Sequence, residues 1–221
     1  MTVAAAAVIA ATVSLAAWQF DRAAGKRVLE QAARAGLAAA PLKVRAGAKL
    51  QPFRRAVAIG RYLPEKQILL DNRVHQRHVG YHVITPFLLD DGLALAVNRG
   101  WLVAGKNRAT PPVPVLPQAG RVTVRGVLKS DETDAFVLSP QLVEGKVWQK
   151  LHLAEYGASY ELNLSGLVLL RDDGAAENEG LAAVSVRVDF KSARSVGYAW
   201  QWLTFALLAA VFYFILGRRK R

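Results

Sequence analysis

Cysteine is absent from all 221 residues, which excludes disulfides, thiolate metal sites and thiol chemistry in one step and leaves the redox compartment open. The usual catalytic signatures are missing as well. There is no glycine-rich phosphate loop, no serine nucleophile elbow and no pair of histidines around a glutamate on a helix. The expectation is a protein that is not an enzyme. Charge, finally, is missing from two long stretches. Val196 to Leu216 holds no charged side chain and no proline, and Thr2 to Ala17 (TVAAAAVIAATVSLAA) is uncharged and mostly alanine.

A helix needs about 20 such residues to cross a hydrocarbon core roughly 30 Å thick, so the second stretch reads as a transmembrane helix over residues 195–216. Tyr198, Trp200 and Trp202 supply interfacial rings at its start, and Arg218, Arg219, Lys220 and Arg221 follow its last apolar residue. The basic tail, 217–221, is therefore expected on the cytoplasmic side. A buried core helix of a soluble domain would leave those cations and the all-round apolar face unexplained. The first stretch reads as a second, weaker transmembrane helix over residues 2–20. A cleaved signal peptide competes with it, although the expected basic leader is missing. Its Ala6, Ala10, Ser14 and Ala17 share a face, as do Ala206, Ala209 and Ala210 of the last helix, and close helix packing is expected there. No break occurs before Pro41, so the first helix is expected to leave the membrane near Trp18 and protrude to about residue 39.

The chain is long enough for one domain between two anchors and too short for two. Its net charge is +12; with the four cations of the tail set aside, 25 cations face 17 acids, a balance of +8. Such a field favours anionic partners. The cations are scattered singly through apolar runs, which argues against nucleic acid and for lipid headgroups or an acidic small molecule.

Beyond Pro41 the apolar period falls to two, and residues 41–192 are expected to form a β-rich domain. Phe53 to Tyr62, Gln67 to Val74, Val79 to Leu89, Arg121 to Leu128, Leu162 to Leu170 and Val184 to Phe190 read as strands. In the last of these Val184, Val186, Val188 and Phe190 are expected to point inward. Asp91-Gly92 is a hairpin signal, because both residues tolerate positive φ. TPPVPVLP at 110–117 breaks the sheet, and Arg171 to Gly180 reads as an acidic loop. Six or seven short strands and one helix point to a mainly antiparallel small barrel or sandwich. His75, His78 and His82 offer three imidazoles. Three such groups can hold zinc or copper, but no carboxylate stands beside them and Arg73 and Arg77 oppose a dication, so polar turn residues are expected and no metal.

WQFDRAAGK after a membrane segment, GRYLPEKQILLDNRV, GYHVITPF, VNRGWL, Trp148 before a strand, and VGYAWQW opening the final helix follow one another in order along nearly the whole chain. In these the sequence resembles the bacterial and mitochondrial surfeit locus protein one family. The resemblance implies a respiratory-chain chaperone of the bacterial inner cell membrane, with two passes and an extracytoplasmic central domain. It would assist cytochrome c oxidase assembly, with the oxidase's catalytic subunit, membrane lipids and haem a synthesis enzymes as partners. Haem a would be handled transiently on a face of Trp18, Arg22, Lys26, Arg194, Tyr198 and Trp202, and Gln19, Asn98, Arg99, Gly100 and Trp101 would meet the partner. Trp18, Arg22 and Lys26 are spaced by four, and the same spacing suits an aromatic anchor with snorkelling cations. One departure stands out. Haem-binding members carry a histidine where this chain has Ser195, and a serine is no ordinary axial iron ligand. Tyr198 as a phenolate ligand competes with its reading as an interfacial anchor. A general membrane-tethered scaffold for another envelope protein is the alternative function, since fold does not fix function.

Overall fold

The computed structural model describes residues 2–105, 111–131, 143–172, 174–186 and 188–218. They fall into two compact units, residues 1–34 with 188–221, and residues 35–187.

Among the described residues the second unit has nine strands: β1 (Leu42–Lys43), β2 (Arg55–Tyr62), β3 (Ile68–His75), β4 (His78–Leu89), β5 (Ala94–Val103), β6 (Val122–Lys129), β7 (Val143–Glu144), β8 (Val147–Trp148) and β9 (Leu164–Arg171). Five of them close on themselves, β2-β6-β9-β5-β4 and back to β2, so the architecture is a barrel and not a sandwich. Every pair in the ring is antiparallel except β5 with β9. Closure removes the free edges that an open sheet would expose. The Asp91-Gly92 hairpin forms as expected: Gly92 takes φ 84°, and Asp91 Oδ1 accepts from Leu93 N at 3.1 Å.

Two apolar layers explain the sequence of β5 and β9. Leu95, Val97 and Leu169 point into the barrel with Phe87, Val124 and Leu128. The alternate residues Ala96, Val168 and Leu170 point outward, where Ile68, Ile84, Trp148 and Tyr156 cover them. Both faces being buried, these strands read as continuous apolar runs.

Several expectations are corrected. Val184 to Phe190 forms no strand among its described residues; Arg187 lies outside them. The exposed edge of β5 is already taken by β9 as far as Asn98, and only Trp101 is left to pair, in a single bridge with Ala182. Val184 and Val186 still pack on the outer layer. The acidic segment 171–180 contains a short helix, α3 (Ala175–Asn178), and another, α2 (Leu153–Ser159), precedes β9, so the domain is not purely β. Asp173 lies outside the described residues. Trp148 sits within a strand of its own, β8, and His75 and His82, expected as turn residues, lie in β3 and β4. Pro111 to Pro117 has no regular structure, and Thr110 lies outside the described residues.

The first unit is a pair of long helices, α1 (Thr2–Ala38) and α4 (Ser192–Arg218), each with a stretch long and apolar enough to cross a membrane. Phe20 meets Trp200, Lys26 meets Ser195 and Glu30 meets Ser192, so the helices run antiparallel. On α1 the covered stripe runs through Ala5, Ile9, Thr12, Ala16, Gln19, Ala23, Lys26, Glu30 and Ala33; on α4 it runs through Ser192, Ser195, Ala199, Trp202, Ala206 and Ala209. Both alternate steps of three and four, a 3.5-residue period that keeps a seam facing its partner. The expected face of Ala6, Ala10, Ser14 and Ala17 is exposed instead, because steps of four drift off that seam, whereas Ala206, Ala209 and Ala210 do lie toward it. Leu207, Phe212, Phe214 and Ile215 stay exposed, an apolar surface far larger than soluble proteins tolerate. Both helices are long and apolar enough to cross a membrane. Residues 219–221 of the basic tail lie outside the described residues.

Candidate functional site

Where α1 and α4 cross the polar part of their seam, small residues let charged ones in. Lys26 Nζ donates to Ser195 Oγ at 2.9 Å, and Ser195 is 3% exposed. One turn on, Glu30 accepts from Ser192 Oγ at 3.0 Å and from the backbone N–H of Phe190 at 3.2 Å. The carboxylate thus ties down the chain at the start of α4, where negative charge is favoured.

The expected haem-handling residues divide between seam and flank. Lys26 and Trp202 lie in the seam with Gln19. Trp18, 51% exposed, carries the Arg22 guanidinium 5.3 Å above its ring. Tyr198 and Arg194 are exposed on α4. Phe20 and Trp200 meet edge to face with centroids 6.1 Å apart, which marks one flank of the pair. At about 100° per residue, Trp18 and Arg22 turn away from Phe20 on α1, and Arg194 and Tyr198 turn away from Trp200 on α4. In an antiparallel pair these four share the opposite flank, with Arg194 nearest the level of the Lys26–Ser195 bond and Trp18 about two turns from it. Lys26 itself is turned into the seam, so it does not share one open face with Trp18 and Arg22.

The second constellation is VNRGW in β5. Val83 pairs with Gly100 and Ile84 with Asn98, so Arg99 is the extra residue of a β-bulge. Bulges re-aim side chains. Asn98 Oδ1 accepts the Gly100 N–H at 3.1 Å and holds the bulge, while Trp101 Nε1 donates to Arg73 O at 2.8 Å. Gly100 sits at φ 151°, where a Cβ would lie 2.8 Å from that of Leu181.

Arg99 is fully buried and meets Glu179 from α3's C-terminal end. Its Nε and Nη2 donate to Glu179 Oε2 at 3.0 and 2.7 Å, Nη1 to Gln67 Oε1 at 2.8 Å and Nη2 to Val115 O at 2.7 Å. Arg171 grips the same carboxylate from β9, at 2.9 and 2.8 Å. Burial works against the Glu179 carboxylate, but the hydrogen bonds from Arg171 and Arg99 outweigh it and hold its pKa below the ordinary value. The Tyr62 ring, 5.9 Å from the Arg99 guanidinium, adds a cation–π contact.

Asn98, Arg99 and Trp101 were expected to meet a partner; the structure buries them, and their polar groups are engaged internally. Sequence reasoning missed Glu30 and Glu179. The i, i+4 spacing of Lys26 and Glu30 was a readable signal for the first. No regular spacing marks Glu179, whose partners Arg171 and Arg99 lie 8 and 80 residues away. The three histidines do not gather: His75 stacks near Trp101 at 5.2 Å, His78 lies at the hairpin tip, and His82 is sequestered with its pKa lowered to about 3 by burial and by Arg73 and Lys129.

The sequence model of the SURF1 family matches residues 6–207, which takes in both helices and the barrel. An uncharacterized SURF1-like protein of Mycobacterium tuberculosis is 28% identical over 162 residues, covering 72% of this chain; the match spans 58% of that relative's length. A SURF1-like protein of Rickettsia felis is 25% identical over 211 residues, covering 93% of this chain and 92% of the relative. Another, of Rickettsia bellii, is 26% identical over 215 residues, 93% and 86% respectively.

Proposed function

The chain belongs to the SURF1 family, and from that premise we propose that it is a non-enzymatic assembly factor for cytochrome c oxidase, assisting maturation of the catalytic subunit or haem a insertion into it. The observation that carries this reading is the exposed flank of the helix pair, where Trp18, Arg22, Arg194 and Tyr198 set rings beside cations. A flat apolar molecule with carboxylates, or a subunit surface of that chemistry, is complementary to it, and a carboxylate there gains charge-assisted bonds. The residues present do not suit iron ligation. Neither helix holds a histidine, and Ser195, in the place of the family's histidine, already accepts from Lys26. Contact with haem a is therefore transient and made through its propionates and ring edge.

VNRGW acts in this reading by holding the barrel's own fold, not by touching the oxidase subunit, and Gln19 acts from the helix pair. The chain crosses the inner membrane twice, with both termini inside and the barrel outside. A reporter fused after Arg221 that is active only outside would refute that topology. Deletion is expected to lower the haem a signal in reduced-minus-oxidised membrane spectra, and oxidase activity with it, while other cytochromes persist. Unchanged haem a and oxidase activity would leave the general envelope scaffold as the function.

A further inference from the structure

A cavity of about 430 Å³ lies on the outer face of the barrel sheet, between β3, β4, β5 and β9 below and residues 183–186 above. That volume is in the range of small-molecule pockets, which combine apolar walls with a few convergent polar groups. Its walls include Leu70, Ile84, Leu151, Leu170 and Val186. Its polar side is made by His82, Lys129, Asn98 and Asp131.

The charges there are uneven. Lys129 from β6 and Arg73 from β3 act on His82, and His75 from β3 adds to them. Asp131 accepts from the backbone N–H of Leu153 at 3.3 Å and supplies the opposing carboxylate. Asn98 is committed to the bulge. Among the described residues two cations face one acid, which leaves room for one negative charge, and the neutral His82 ring has an N–H to give it. The remaining volume is apolar.

We propose that this cavity binds an amphipathic monocarboxylate, its acid group between Lys129 and His82 and its hydrocarbon along Leu170 and Val186. The site is separate from the helix-pair flank. It would take a free alkyl acid, whereas an alkyl amine meets Lys129 and Arg73 as like charges and an alcohol lacks the charge that Lys129 rewards.

The test uses the full chain in zwitterionic nanodiscs, with histidine ring signals followed by NMR at neutral pH. Octanoate is expected to move the His82 signals saturably at millimolar concentration and to raise the His82 pKa, because an anion beside the imidazole favours its charged form. His78 and His152 should not follow. Lys129→Ala, a change at an exposed side chain, should weaken the effect about tenfold, and Lys129→Glu more. The proposal is overturned if octanoate gives no saturable shift, if octanol or octylamine moves His82 equally, or if Lys129→Ala leaves the affinity unchanged. Any of these results leaves the oxidase-assembly reading standing, since the deletion spectra test that separately.

Discussion

Glu179→Gln is the change that the barrel should tolerate least for its size. The substitution keeps the shape and removes only the charge, leaving Arg99 and Arg171 facing each other with side chains 0% and 3% exposed. Breaking a buried ion pair by removing one partner costs about 3–5 kcal/mol, because an uncompensated charge is left behind. Here one carboxylate serves two guanidiniums, which places the loss at the upper end of that range. For a domain of this size about 2–4 °C of melting temperature is lost per kcal/mol, so a drop of roughly 10–20 °C is expected. Arg99→Met is the informative contrast. It leaves Arg171 and Glu179 as a matched pair, gives Gln67 Oε1 only its bond from Thr85 Oγ1, and frees Val115 O, which belongs to an exposed residue. Arg99→Met should therefore destabilise less than Glu179→Gln, although it removes more hydrogen bonds. Near-UV circular dichroism melts of the purified chain, in which the buried Trp101 and Trp148 report on the barrel domain, would measure both. If Glu179→Gln melts within about 1 kcal/mol of the parent, or if Arg99→Met proves the worse, the cluster is not charge-limited and the reasoning fails.

The same carboxylate predicts an acid limit. Its folded pKa is depressed, so its stabilisation is present above the ordinary carboxylate value of about 4.3 and is lost as pH falls through the folded pKa; Glu179→Gln should flatten that part of a stability-versus-pH curve. His82 acts over a higher window: the unfolded chain takes up its proton below about 6.5 and the folded chain only near 3, so stability falls as pH drops between them, and denaturant melts of His82→Phe should lose that slope. Gly100→Ala should cost about 1–3 kcal/mol in such melts, since the new Cβ meets Leu181 and the Ala182 carbonyl in a backbone region that side chains avoid. Ser195→His should give purified protein a coordinated-iron absorption spectrum with haem a that the parent lacks; an identical spectrum for both would show that the seam is not where iron could be reached.

Period-two alternation and the Asp91-Gly92 turn made the barrel strands legible, because both are local consequences of which face is buried. The same alternation misled at Val184 to Phe190. Val184 and Val186 do pack inward, but a strand also needs a partner edge, and the parallel pairing of β5 with β9 had used it. Nothing local announces a parallel pairing between segments some 70 residues apart. The helix pair shows a finer limit. Small residues were visible on both helices, yet steps of four chose a different stripe from the true seam of alternating threes and fours, in which Lys26 and Glu30 continue a line begun by alanines.

The candidate sites divide along a similar line. VNRGW is the most distinctive string in the chain, and each member now has a physical reason: Asn98 closes the bulge, Arg99 is the residue it re-aims, Gly100 alone fits the close approach, and Trp101 pins β3 and Ala182. A string this constrained signals the fold, because its side chains are spent on internal partners. The flank residues are constrained in the opposite way. Trp18, Arg22, Arg194 and Tyr198 need only be large or cationic at the right angle on a helix, a loose requirement that leaves a weak sequence pattern and an open surface. It follows that substitutions in VNRGW should be read first in melts and only through them in oxidase assembly. Arg22→Ala with Arg194→Ala should do the reverse, lowering haem a incorporation while the barrel melts unchanged; a lowered melt in that pair would place the two cations among the groups that hold the fold.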